Sequence, residues 1–111
     1  MSYNIIPTPR FKKSAKAMVK RYFSLKAELR QLETVLQNNP DYGTPLGNNC
    51  FKIRLAIKSK QKGKSGGARV ITYIVANDKE IFLIDIYDKS AISSIDDKTL
   101  RKLIDEIRRE N

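Results

Sequence analysis

Cys50-Phe51-Lys52-Ile53-Arg54-Leu55-Ala56-Ile57, then Lys58-Ser59-Lys60-Gln61-Lys62-Gly63-Lys64-Ser65-Gly66-Gly67, then Ala68-Arg69-Val70-Ile71-Thr72-Tyr73-Ile74-Val75-Ala76 is the stretch that decides the fold. Phe51, Ile53, Leu55 and Ile57 alternate with Lys52, Arg54 and Lys58, the period of a strand with one buried and one solvated face. The solvated face is cationic. The run from Ala68 to Ala76 is rich in Val, Ile, Thr and Tyr, which fit a pleated, half-buried surface, and it predicts a second strand. Asn77-Asp78 signals a tight turn, and Ile81 to Tyr87 predicts a third strand. Between Asp41 and Asp78 no acidic residue occurs, so this sheet concentrates positive charge.

Working towards the N-terminus, Asp41 to Asn49 reads as a connecting loop because it holds Gly43, Pro45, Gly47 and two asparagines. Before it, Leu25, Leu29, Leu32 and Leu36 form the seam of a helix that Ser24 is placed to cap and Asn38-Asn39-Pro40 stops. An earlier helix carries Phe11, Ala15, Met18 and Tyr22 on one face and Lys12, Lys13, Lys16 and Lys20 on the other, with Thr8 as N-cap and Pro9 at its first position. Those lysines read as an ordinary solvated face. Tyr3 to Ile6 predicts a short strand, which Pro7 confines to a sheet edge. Towards the C-terminus, Ser94 or Asp96 is placed to cap a last helix whose stripe is Leu100, Leu103, Ile104 and Ile107. The order β-α-α-β-β-β-α predicts an α+β domain: a helical hairpin and a C-terminal helix on one face of a mainly antiparallel four-stranded sheet, the other face open.

The 111 residues suffice for one domain, spanning 1–111. A formal charge of +10 points to a polyanion or an acidic protein as partner, with nucleic acid foremost. A lone cysteine, Cys50, and no histidine leave no cluster of zinc ligands, so no metal or other cofactor is expected. No basic-then-apolar leader pattern opens the chain, and no apolar run approaches the ~20 residues of a membrane span. A cytoplasmic chain without membrane contact is the expectation.

Gly63-Lys64-Ser65 looks like the end of a phosphate-binding P-loop, but Lys58 stands where the first glycine belongs, and a strand rather than a helix follows. Lys58, Lys60, Lys62 and Lys64 are either a solvated hairpin connection or, beside glycine N–H groups, a surface for RNA phosphates. Arg69 reads as a structural ion pair with Asp85 or Asp88, or as a fixed guanidinium that grips a phosphate bidentately. Tyr73 and Tyr87 fit core aromatics with wet hydroxyls, or stacking platforms for bases. Lys89 ends the third strand, and a lysine crowded by like charge has the lowered pKa of a general base.

The block Cys50 to Leu55, the block Gly66-Gly67-Ala68-Arg69-Val70-Ile71-Thr72-Tyr73 and the block Ile81 to Lys89 together resemble the RelE/ParE superfamily of bacterial toxins, in particular RelE- or HigB-like members. The resemblance implies a ribonuclease that cuts messenger RNA on the ribosome without a metal, held inactive in a hetero-oligomer by an acidic antitoxin. It implies Arg69 as the contact to the scissile phosphate, with Lys52, Arg54 and Lys89 sharing positioning and proton transfer. RelE-like enzymes usually continue after this strand with charged residues and a catalytic tyrosine, where this chain has Ser90-Ala91-Ile92-Ser93-Ser94-Ile95. That departure leaves the acid role to Tyr87 or Lys89, or leaves a degenerate toxin that only binds its antitoxin. A different class also fits the family: a ParE-like protein that poisons DNA gyrase with no chemistry of its own.

Overall fold

The computed structural model describes residues 2–60, 66–91 and 95–110. The chain runs β1 (Asn4–Pro7), α1 (Pro9–Arg21), α2 (Leu25–Asn38), β2 (Thr44–Gly47), β3 (Cys50–Leu55), β4 (Ala68–Val75), β5 (Glu80–Asp88) and α3 (Asp97–Glu110). Among the described residues the sheet has five strands in the order β1-β5-β4-β3-β2, antiparallel except that β1 runs parallel to β5. The α+β class is as expected, and the strand count of four is corrected to five. The missed strand, β2, has proline and glycine in it, and Pro45 is tolerated because β2 lies at an edge. Asn48 and Asn49, at φ 53° and 63°, make the tight turn into β3, a conformation that asparagine adopts more readily than most residues.

The helices divide between the two faces, which corrects the expectation of one covered and one open face. Phe11, Met18, Leu25, Leu32 and Leu36 of the hairpin pack on Ile53, Val70, Ile81, Leu83 and Ile86. On the opposite face Leu100, Ile104 and Ile107 of α3 pack on Ile71, Tyr73, Phe82 and Ile84. The physical reason lies in β4 and β5, which are buried in unbroken runs from Ala68 to Tyr73 and from Ile81 to Asp88. Strands apolar on both sides need a layer on each. No helix among the described residues is long and apolar enough to cross a membrane.

Caps fix where the helices begin. Thr8 accepts the Phe11 N–H at 3.2 Å and donates its hydroxyl to the Leu83 carbonyl at 2.9 Å, so α1 is anchored to β5 at its first turn. Asp96 accepts the Thr99 N–H at 2.7 Å and starts α3. Ser24 makes no capping bond for α2, because its hydroxyl is spent on Glu28 and Ser59.

One irregularity places the site. Along β5, Asp85 is opposite Ile71 while Leu83 is opposite Thr72, so Ile84 and Asp85 form a bulge. The extra residue reverses the alternation beyond it. Phe82 and Ile84 lie on the α3 face, and after the bulge so does Tyr87, while Ile86 packs with the helical hairpin.

Gly67, just before β4, lies so close to β3 that a Cβ built on it would stand 2.1 Å from the Leu55 carbonyl oxygen. Gly67→Ala must therefore part β3 from β4, and a loss of roughly 2 kcal/mol or more is expected in urea denaturation. A variant as stable as the parent would mean that the strands separate there at no cost.

Candidate functional site

Across β3, β4 and β5, Arg54 is opposite Arg69 and Arg69 is opposite Tyr87. The three stand abreast on the α3 face, on neighbouring strands spaced by about 4.8 Å. The next row on the same face is Lys52, Ile71 and Asp85. Exposure falls along the first row: Arg54 is open to solvent, whereas Arg69 and Tyr87 are each 5% exposed. Two arginines directly opposite one another are a like-charge pair, which by itself disfavours the pairing of the strands. Arg69 also donates from Nη1 to the Ala68 carbonyl at 3.1 Å.

The two carboxylates expected as partners for Arg69, Asp85 and Asp88, each hold bonds of their own. Asp85 accepts from Nε of Arg10 at 3.1 Å and from the Ile86 N–H at 2.9 Å. Asp88 lies on the hairpin face, where Lys60 and Tyr22 donate to it. Tyr87 has its pKa raised, chiefly by burial, with the Arg69 charge and the Ile95 backbone N–H pulling the other way and Asp85 adding to the rise. It therefore carries its proton at neutral pH. Lys89 follows at the end of this strand, half-buried, its backbone N–H donating to the Gly67 carbonyl at 3.0 Å. Tyr73, expected as a base-stacking aromatic, is 8% exposed and packs its ring against Phe82 at a centroid distance of 6.4 Å beneath α3.

The lysine loop is divided by its contacts. Lys62 and Lys64 lie outside the described residues. Lys58 is exposed, but its backbone N–H donates to Glu28 at 2.7 Å, and the Ser59 N–H donates to the Ser24 hydroxyl at 2.9 Å. Lys60 points inward: its ammonium, with a side chain only 9% exposed, pairs with Asp88. Tyr22 donates its hydroxyl to the other oxygen of Asp88 at 2.6 Å, and Ser90 donates both N–H and O–H to the first. Burial raises the Asp88 pKa, but the bonds from Lys60, Tyr22 and Ser90 outweigh it and hold the carboxyl well below the ordinary range. Lys60 is thus placed as a structural cation, not on the RNA-facing surface expected for it.

Sequence reasoning missed Glu28 and read Asp88 only as a candidate partner of Arg69, not of Lys60. A signal existed for Glu28: it falls three residues after Leu25 and four before Leu32, on the apolar seam of α2, where a carboxylate needs a partner. No comparable signal marked Asp88, because the bulge sets its face. Among the described residues no three carboxylate or cysteine side chains gather as a metal ion would require.

No family model matches this chain. Among solved structures, the free state of an arginine-to-alanine double mutant of the E. coli toxin RelE superposes with a TM-score of 0.57. The match covers 84% of this chain and 90% of that one at 18% sequence identity. The fold is RelE-like.

The Asp88 cluster has a pH signature. A carboxyl held below its unfolded pKa contributes its full stability above the ordinary carboxylate range and loses it as pH falls through that range towards the folded value. Urea midpoints of the parent should fall between about pH 5 and pH 2 more steeply than those of Asp88→Asn. Lys60→Met strands the buried carboxylate and should cost about 3–5 kcal/mol at neutral pH, much of it regained in Lys60→Met/Asp88→Asn. Parallel pH curves for parent and Asp88→Asn would show that Asp88 is not ionised in the fold.

Proposed function

We propose that this chain is the toxin of a toxin-antitoxin pair, one that cuts messenger RNA on the ribosome in the cytoplasm and is silenced by an acidic antitoxin bound in a hetero-oligomer. The observation that carries the reading is the row Arg54, Arg69 and Tyr87 on a RelE-like sheet. In it two guanidiniums and a protonated phenol stand abreast on neighbouring strands.

The chemistry follows from those groups. The ribose 2'-hydroxyl attacks the adjacent phosphorus, the P–O5' bond breaks, and a 2',3'-cyclic phosphate and a 5'-hydroxyl end result. Arg69 grips the non-bridging oxygens bidentately and neutralises the charge that builds on them, a stabilisation worth ~3 kcal/mol per donor. Lys52 and Arg54, at the solvent side of the row, hold the flanking phosphates. Lys89 in its neutral amine form takes the 2'-hydroxyl proton and becomes the ammonium, and Tyr87, kept protonated by its burial, supplies one to the departing O5'. All of the charge compensation comes from side chains, so no step requires a metal. Arg69 and Tyr87 are buried on the face that α3 packs against, so the reading requires that face to open to RNA. The net charge of +10 supplies the attraction both to RNA and to an acidic antitoxin lying across Lys52, Arg54 and Lys58.

The test is primer extension on a reporter transcript incubated with translating ribosomes, with their Mg²⁺ preserved. Arg69→Ala should cut at least about 100-fold more slowly, and Arg69→Lys nearly as slowly, because lysine keeps the charge and loses the planar fork. Undiminished cleavage by both folded variants would make Arg69 structural. Intact transcripts accompanied by DNA breaks on induction without antitoxin would replace the ribonuclease by a gyrase poison.

A further inference from the structure

Phe23, in the turn between α1 and α2, is 87% exposed, more than any other large apolar side chain among the described residues. Phe11 and Phe82 are buried and Phe51 is half-buried, so this ring alone among the phenylalanines is left in water. Its neighbours in the chain are Lys20, Arg21 and Lys26, all exposed. The first acidic residue of the sequence is Glu28. The corner is also tied to the lysine loop: the hydroxyls of Ser24 and Ser59 are 2.9 Å apart, and the Ser59 N–H donates to Ser24 at 2.9 Å, which brings exposed Lys58 alongside. The carboxylates that bond to this corner and its turn, Glu28 and Asp88, are 6% and 5% exposed and taken up by hydrogen bonds. What faces solvent around Phe23 is therefore one bare ring edged by cations. Two residues before Phe23, the Arg21 guanidinium stands 5.3 Å from the centre of the Tyr22 ring.

We propose that Phe23 is a stacking platform for an unpaired RNA base, with Arg21, Lys26 and Lys58 taking the phosphates on either side. A π-face offered to solvent among cations is how proteins hold single strands without regard to sequence. A lone ring is too small a patch for a protein interface, and charge of a single sign suits a phosphate backbone. The corner also stands at the right end of the sheet. The turn Lys58–Lys60 follows the end of β3, and Lys60 pairs with Asp88 on the hairpin face, so Phe23 and the Arg54, Arg69 and Tyr87 row lie on opposite faces near the same end of the sheet. The inference rests on the ribonuclease reading only for its ligand class, RNA.

The chain has no tryptophan, so Phe23→Trp installs a single reporter at the platform. Titrated with a fluorescein-labelled single-stranded oligouridylate at low salt, this full-length variant should bind at least as tightly as the parent while the indole emission is quenched. Phe23→Leu keeps an apolar side chain without a π-face and should bind roughly 5- to 100-fold more weakly, as should Phe23→Ala, with melting temperatures unchanged. Equal affinity across all four proteins overturns the platform. So do quenching that is absent although the anisotropy of the oligonucleotide shows binding, a failure of the parent to bind the oligonucleotide at all, and quenching that follows only an acidic protein partner. Ribosomal cleavage measured on the same set separates the two readings. Stacking without cleavage by the parent removes the ribonuclease and leaves the platform, whereas cleavage with Phe23→Leu binding as the parent does removes the platform alone.

Discussion

A single extra residue in β5 decides what the two faces of this sheet contain. Strand side chains alternate with period two, so a one-residue offset exchanges every later position between faces. The bulge at Ile84 and Asp85 makes that exchange within the strand. Without it Tyr87 would point into the hairpin core beside Leu83, and Asp88 would stand on the α3 side next to Arg69. With it the phenol is abreast of Arg69, and the carboxylate goes to the other face, among Tyr22, Lys60 and Ser90. The positive row and its strongest potential neutraliser are kept apart by the sheet itself.

The displaced carboxylate then organises the opposite side. A buried Asp88 would cost several kcal/mol if left bare, and the ammonium of Lys60 together with hydroxyl and amide donors offsets that cost. The same contacts draw the start of the lysine loop down against α1. Glu28 completes the fastening by accepting the Lys58 N–H from the far side of the helical corner. The loop is in consequence rooted at Lys58 to Lys60, with the lysine whose charge is spent inside alternating with one whose charge is not.

The parts of this fold that were legible in the sequence are those with a local period. Alternation in Cys50 to Leu55, the seam Leu25, Leu29, Leu32 and Leu36, and the caps Thr8 and Asp96 all predict the elements found, because each depends on residues a few positions apart. Strand β2 was hidden because the turn residues that make its hairpin, Gly47, Asn48 and Asn49, also spell a loop. The second helical layer was missed although Ile71, Tyr73 and Phe82 needed a cover, since their apolar face was not weighed against the stripe on α3. Lys60 was beyond reach altogether. In a run where every second residue is lysine, nothing local says which one meets a carboxylate that a bulge 24 residues later will turn towards it.

For the candidate site, the strand positions of Arg69 and Tyr87 are legible in the sequence, while their burial and their alignment come only from tertiary structure. That alignment carries a cost. Arg54 and Arg69 face one another across β3 and β4, where an oppositely charged or apolar pair would hold the strands better. Of the acids near this row, Asp85 is bonded to Arg10 and Asp88 to Lys60. Local rules broken without a structural gain concentrate where a ligand supplies the missing term. Here the pair that breaks the rule is Arg54 and Arg69, and the rooted lysine loop follows the end of β3 beside it.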